Sequence, residues 1–254
     1  MQRRELLQAG LLLSAGAGGA LAVTRSRPAP VADRWGTLRK ASYAEQGEDL
    51  ILAKVLDRLR APKPTFIDIG AFHPVRDSNT FLLYERGMRG VVVEPNPTMA
   101  ALLREVRPKD VTLEVGMAAD DADSADYYVI GDEPALNTFS KERAEGCGHR
   151  ITAVIKRRLV GVNQILAAHF PVRPTVLSID IEGLDVEVLR GLDFGRFGPD
   201  VLCVETDHLL YDATEHAPLF ELLRDRGYAL HAGTFINTIF LREACLRETL
   251  GRKG

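Results

Sequence analysis

Four carboxylates in this 254-residue chain sit at the ends of short apolar runs. Asp68 lies in Thr65-Phe66-Ile67-Asp68-Ile69-Gly70, and Glu94 follows Val91-Val92-Val93. Asp180 closes Val176-Leu177-Ser178-Ile179, and Glu205 closes Val201-Leu202-Cys203-Val204. Apolar runs of this length, bounded by Gly or Pro, read as buried strands. One acid at a strand end is ordinary, because it forms a turn or caps a helix. Four on the same rim of a sheet make a candidate site, since open α/β sheets bind ligands beyond the carboxyl ends of their strands.

The segment Ser178-Ile179-Asp180-Ile181-Glu182-Gly183 carries the strongest chemical signal. Asp180 and Glu182 are two positions apart and face the same side if the strand continues, and Gly183 permits a turn. Two close carboxylates can share a proton, bind a divalent cation or act as a general base. Val204-Glu205-Thr206-Asp207-His208 adds candidates, with His208 a second choice for the base. These groups could form an Asp/Glu/His metal site, but their spacing is not diagnostic and no metal is assigned. In Asp77-Ser78-Asn79-Thr80, Ser78 or Asn79 reads either as a helix cap or as a contact to the carboxylate end of a ligand. Asn237, within the apolar Phe235-Ile236-Asn237-Thr238-Ile239, reads as a backbone partner at a sheet edge.

These residues need a scaffold of alternating strands and helices, and the pattern supplies one. Apolar residues at helical spacing predict a helix over residues 45–59, ended by Pro62 and Pro64. Helices are also expected over 79–86, 97–106, 163–169, 184–192 and 216–226. Besides the four acid-ended strands, residues 111–117 read as a third strand after Glu94, with short strands at 127–130 and 158–162. Residues 228–231 and 236–241 are expected to close the sheet as an antiparallel pair at one edge. Residues 131–148 are polar and turn-rich and read as a flexible segment or lid. Such alternation predicts a mostly parallel sheet covered on both faces.

The first strand–turn–helix–strand unit is half of a nucleotide-binding sheet. Gly70 lets the backbone approach a ligand, and Glu94 falls where such folds hold ribose hydroxyls. The turn Gly70-Ala71-Phe72-His73-Pro74-Val75 lacks the further glycines of a dinucleotide fingerprint. That disfavours a pyrophosphate, and with it a nicotinamide-dependent oxidoreductase. A ligand with adenosine and no phosphates fits better, and S-adenosylmethionine is the obvious candidate.

Bulk composition is that of an ordinary globular chain, with 46% hydrophobic and 26% charged residues and a formal net charge of −3. No basic stripe argues for nucleic acid; the run Lys156-Arg157-Arg158 reads as a solvated loop or strand entry. Three cysteines without paired spacing give neither a disulfide framework nor a zinc pattern. Residues 1–34 are read as a leader and linker, and 35–254 as one domain. Arg3-Arg4 ahead of an Ala/Gly/Leu-rich run, with Ala20-Leu21-Ala22 as a small-residue cleavage form, resembles a twin-arginine export signal. It suggests export or membrane association, whereas the cosubstrate suggests the cytoplasm.

The chain resembles the FkbM family of S-adenosylmethionine-dependent methyltransferases. The resemblance runs through Ser42-Tyr43-Ala44-Glu45-Gln46-Gly47-Glu48-Asp49, Phe66-Ile67-Asp68-Ile69-Gly70-Ala71, Ser78-Asn79-Thr80 and Glu94-Pro95-Asn96-Pro97. It continues in Leu177-Ser178-Ile179-Asp180-Ile181-Glu182-Gly183 and Asn237-Thr238-Ile239-Phe240. It implies a seven-stranded Rossmann-like class I methyltransferase fold. It also implies methyl transfer to an oxygen, often a hydroxyl of a saccharide or natural product. Asp68 and Gly70 then stand near the methionine part of the cofactor, and Glu94 at the ribose. Asp120 or Asp121 meets adenine, and Asp180 and Glu182 lie near the acceptor. His73-Pro74 departs from the small residues frequent in that loop. A rival expectation is a non-catalytic exported or membrane-anchored binding protein that keeps the fold as a scaffold.

Overall fold

The computed structural model describes residues 40–119, 123–206 and 217–251. The leader, Asp120, Asp121 and His208 lie outside the described residues. In chain order the first elements are α1 (Glu48–Leu59), β1 (Thr65–Ile69), α2 (Phe81–Glu85), β2 (Arg89–Val93), α3 (Pro97–Val106) and β3 (Val111–Leu113). Then come β4 (Gly116–Ala118), β5 (Ser124–Ile130), α4 (Lys141–Gly146), β6 (Ile151–Gly161), α5 (Val162–His169) and β7 (Val176–Ile179). The rest are α6 (Asp185–Gly191), α7 (Phe194–Phe197), β8 (Val201–Glu205), α8 (Ala217–Asp225), β9 (Tyr228–Gly233), β10 (Asn237–Arg242) and α9 (Glu243–Gly251).

Seven strands form one sheet in the order β3-β2-β1-β7-β8-β10-β9. The first five run parallel, and β10 is antiparallel to both β8 and β9. This is the expected Rossmann-like class I methyltransferase sheet. The order reverses between β1 and β7, and it is beyond such a switch point that α/β sheets bind ligands.

The period-two alternation of each strand divides the core into two layers. Ile67, Ile69, Val91, Val93, Leu177 and Ile179 pack with α5, α6 and α8 on one face. Phe66, Val92, Val176, Val201 and Cys203 pack with α1, α2 and α3 on the other. Asp68 has the parity of Phe66, so its carboxylate enters the α1–α3 layer. It is compensated there, as a buried charge must be. Thr80 Oγ1 donates to Asp68 Oδ2 at 2.5 Å and accepts from Arg107 Nη2 at 3.0 Å. Arg107 is itself fully buried and pairs with Asp110 at 2.9 Å.

Several expectations need correction. Residues 111–117 are not one strand: β3 stays in the main sheet, while β4 leaves it to pair with β6 in a three-stranded sheet, β4-β6-β5. The short strand expected at 158–162 is the end of the much longer β6, which carries Lys156-Arg157-Arg158 opposite β5. Its basic residues meet acids, Lys156 with Asp126 and Arg157 with Glu114. Residues 131–148 contain a 3-10 turn (Pro134–Leu136) and α4. Asn237 is not at a sheet edge, because β9 lies outside β10. No helix among the described residues is long and apolar enough to cross a membrane.

Candidate active site

Beyond the carboxyl ends of the central strands lies a cleft of about 460 Å³. Gly70, Asn79, Asp180, Glu182, Glu205 and Asn237 are among its lining residues. A smaller recess shares Gly70, Phe72, Asp180 and Glu182 with it and adds Glu94, Tyr127 and Asn137. Glu133, Ala135 and Leu136, from the polar segment before α4, also line the main cleft.

The turn after β1 is shaped by close approach. Gly70 has φ +83°, and a Cβ there would lie 1.8 Å from the Asp180 carbonyl oxygen. The amides of Gly70 and Ala71 both donate to the Val93 carbonyl, at 3.0 and 3.1 Å. Only glycine satisfies this backbone angle and this contact together. Phe72, Asp77 and Glu182 also adopt positive φ around the cleft. Left-handed conformations at non-glycine residues cost of order 1 kcal/mol each and concentrate at binding sites.

Glu94 is buried, and its two oxygens accept from the Phe72 and Asn96 amides, each at 2.7 Å. Burial pushes its carboxyl up to about 7, against the pull of those two backbone donors. The turns after β1 and β2 thus converge on one carboxylate facing the recess. Ser78 acts as a cap, its Oγ accepting from the Phe81 amide at 3.1 Å, with its own amide donating to the Tyr43 carbonyl. Asn79, which lines the cleft, donates to Ser178 Oγ at 3.3 Å.

Asp180, Glu182 and Glu205 meet as a cluster, with one oxygen from each lying within 4.8 Å of the others. The expected reason was strand periodicity, but β7 ends at Ile179. Glu182 instead reaches the cluster from a left-handed turn at φ +59°, followed by Gly183 at φ +98°. Burial and the neighbouring Asp185 and Glu182 charges raise Asp180 to about 8. Burial and Asp180 raise Glu205 as well. Arg143, on α4, bonds Glu182 and comes within 3.6 Å of Glu205. Thr138 Oγ1 also donates to the Glu182 carbonyl, so this polar segment is tied to the acids at two points.

The structure therefore brings Gly70, Asn79, Glu94, Asp180 and Glu182 to one rim. It puts Asp68 and Ser78 behind that rim as buried supports. Sequence reasoning missed Arg143, whose segment carries no periodic signal, and undervalued Asn237, which is buried and lines the cleft. A polar residue inside an apolar strand was the available signal.

Glu94 offers a carboxylate for paired hydroxyls, Gly70 a surface without a side chain, and the three acids a negative wall. Among the described residues no glycine-rich phosphate cradle stands beside them. These residues fit a nucleoside that carries positive charge, as S-adenosylmethionine does.

The family described as "Methyltransferase FkbM domain" matches residues 68–230. No curated protein matches the chain. Among solved structures, precorrin-6y C5,15-methyltransferase from Geobacter metallireducens GS-15 is 14% identical, with a TM-score of 0.40 over 80% of this chain and 91% of that one. A TehB-like SAM-dependent methyltransferase from Corynebacterium glutamicum ATCC 13032 is 12% identical, with a TM-score of 0.39 over 83% and 95%. An O-methyltransferase from Bacillus cereus, in complex with SAH, is 11% identical, with a TM-score of 0.38 over 86% and 92%.

Proposed function

Because the chain belongs to the FkbM methyltransferase family, we propose that it transfers a methyl group from S-adenosylmethionine to a hydroxyl of a saccharide or natural-product acceptor. The observation that carries this reading is the continuity of the two halves of the site. The recess containing Glu94 and the cleft containing the acid cluster share Gly70, Phe72, Asp180 and Glu182. Bound there, the cofactor would supply a methyl group on a sulfonium, and an acceptor oxygen would attack that carbon in line as the neutral thioether S-adenosylhomocysteine departs. Glu94 would hold the ribose hydroxyls, and Gly70 would let the chain pass close to the cofactor. Asn79 would contact its polar end.

The protein's remaining tasks are to orient the acceptor, exclude water and take the hydroxyl proton. Asp180 is the group best suited to the last task. Burial and the neighbouring acids raise its carboxyl to about 8, so the ionised form that takes the proton grows as pH rises through that value, and Glu182 and Glu205 stand beside it to hold the acceptor.

Calorimetric titration of the full chain with S-adenosylmethionine and S-adenosylhomocysteine tests the reading. Glu94→Ala should weaken binding by roughly tenfold or more, as expected for loss of a charged hydrogen-bond acceptor. Release of S-adenosylhomocysteine in a screen of hydroxylated compounds would then identify the acceptor. A folded protein that binds neither compound would overturn the reading and favour a non-catalytic scaffold.

A further inference from the structure

We propose that Asp180, Glu182, Glu205 and Asn237 form a binding site for a hard divalent cation of the Mg²⁺, Mn²⁺ or Ca²⁺ type. The proposal rests on reading this cleft as the acceptor site and states how the acids there would act.

The first observation is the cluster itself. One oxygen from each of the three carboxylates lies within 4.8 Å of the others. A hard cation holds its oxygens at about 2.0–2.6 Å, so ligands around one ion stand up to roughly twice that distance apart. That separation suits the longer metal–oxygen distances of this range as it stands, and Arg143 must yield or share its two carboxylates for an ion to enter.

The second observation is independent and concerns Asn237. It is 4% exposed and lines the cleft, and its Oδ1 has no hydrogen-bond partner. Its amide orientation is fixed from behind, because Nδ2 donates to Glu48 Oε1 at 3.4 Å. Glu48 is a buried carboxylate that also accepts from Thr234 Oγ1 at 2.6 Å and from the Gln46 amide at 2.9 Å. A carboxylate can only accept here, so the NH₂ must face Glu48 and the carbonyl oxygen must face away from it. Asn237 is also the direct cross-strand partner of Glu205. Directly opposed residues of an antiparallel pair project to the same side of the sheet. An orphaned amide oxygen therefore stands beside Glu205.

Every group in this set is an oxygen acceptor, three of them acidic. Asp180 and Glu205 hydrogen-bond each other, which two carboxyl groups do only with a proton between them, and a cation would take that proton's place. Arg143 brings one positive charge, and its contacts are with Glu182 and Glu205. A divalent cation matches both the charge and the donor type. Among the described residues this set offers oxygen donors alone, which suits a hard ion better than zinc or copper. An acceptor hydroxyl bound to that ion would become more acidic. Its proton would pass to a carboxylate oxygen not used for ligation, and the hydroxyl oxygen would keep the electron pair with which it attacks the methyl carbon.

The test is titration of the EDTA-treated full chain with MnCl₂, read by loss of the free Mn²⁺ electron paramagnetic resonance signal. The expected result is saturable binding of a single ion per chain. Glu205→Gln should weaken it by roughly tenfold or more, as loss of a charged ligand does at such sites. Asn237→Leu should weaken it and Asn237→Asp, which adds a charge, should tighten it. Thermal melting confirms that each variant is folded; Glu205→Gln removes one of several crowded like charges and should melt no lower than the parent. Failure of the folded protein to bind Mn²⁺, or binding indifferent to both Glu205→Gln and Asn237→Asp, overturns the cation site. S-adenosylmethionine titrated into the metal-free protein is the separate control. Binding there without any Mn²⁺ site leaves the cofactor reading standing alone, and Mn²⁺ binding without cofactor binding does the reverse.

Discussion

Gly70 and Asp180 touch backbone to backbone: a Cβ on Gly70 would stand 1.8 Å from the Asp180 carbonyl oxygen and 2.8 Å from its carbonyl carbon. The turn after β1 and the turn after β7 are thus locked together at the point where the strand order reverses. Gly70→Ala must separate the two turns and also hold alanine at φ +83°. The expected cost is about 3 kcal/mol of stability, from overpacking and backbone strain together. Because the displaced atoms belong to the site, S-adenosylmethionine affinity should fall with it. Urea unfolding and calorimetry on the same preparation check both. A variant with unchanged stability would mean the turns part without resistance.

Arg107 anchors the opposite side of β1. Its guanidinium is fully buried, paired with Asp110 and bonded to Thr80, and it lies 5.4 Å from the Phe66 ring centre. Arg107→Met would fill the space but leave Asp68 and Asp110 without their cation. Removing one partner of a buried ion pair costs about 3–5 kcal/mol. Burial already raises both carboxyls despite Arg107. Without it they would favour the protonated form still more, so the destabilisation should be larger in mild base than in mild acid. Denaturant unfolding of both proteins at two pH values measures this.

The division between what sequence made legible and what it did not follows the range of the interactions. Asp68, Gly70, Glu94 and the Asp180–Glu182 segment were found because strand-plus-turn signals are local. Their union on one rim follows from the parallel sheet, which alternation of elements also reveals. The role of Asp68 was not legible. Its register puts it into the α1–α3 layer, where Thr80 and Arg107 satisfy it, and Arg107 lies far along the chain. The fate of residues 111–117 was hidden for a similar reason. Nothing local tells Gly116–Ala118 to leave the main sheet; the pairing of Gly116 with Leu159 does. Asn237 needed Glu48, which is nearly the whole domain away in sequence, before its amide acquired a direction.

Glu94 gives a pH dependence with a definite sign. Its carboxyl titrates at about 7 in the folded protein against 4.5 as the ordinary value, chiefly because of burial. Between those values the folded protein holds a proton that the unfolded chain has released. Stability through this group is therefore present in acid and lost as pH rises toward 7, with no further change above it. The full difference amounts to about 3 kcal/mol. Glu94→Gln cannot titrate, so its stability relative to the parent should rise by up to about 3 kcal/mol between about pH 5 and about pH 8. Paired denaturation curves across that range give the difference directly. A flat difference would show that Glu94 ionises in the fold without penalty.

Arg143 offers the sharpest separation between structure and chemistry at the site. Its side chain is 43% exposed, and it bonds Glu182 while lying 3.6 Å from Glu205. An ion pair open to water contributes about 0–1 kcal/mol, so Arg143→Gln should scarcely move the melting temperature. The same guanidinium is a cation held against two of the four ligands proposed for the metal. Metal binding must displace it or share those carboxylates with it, and either costs affinity. Arg143→Gln should therefore bind Mn²⁺ more tightly than the parent, by roughly threefold to tenfold for about 1 kcal/mol of relieved competition. The gain should shrink as ionic strength rises and the charges are screened. Weaker Mn²⁺ binding by a folded Arg143→Gln protein would instead assign Arg143 to holding Glu182 in place for the ion.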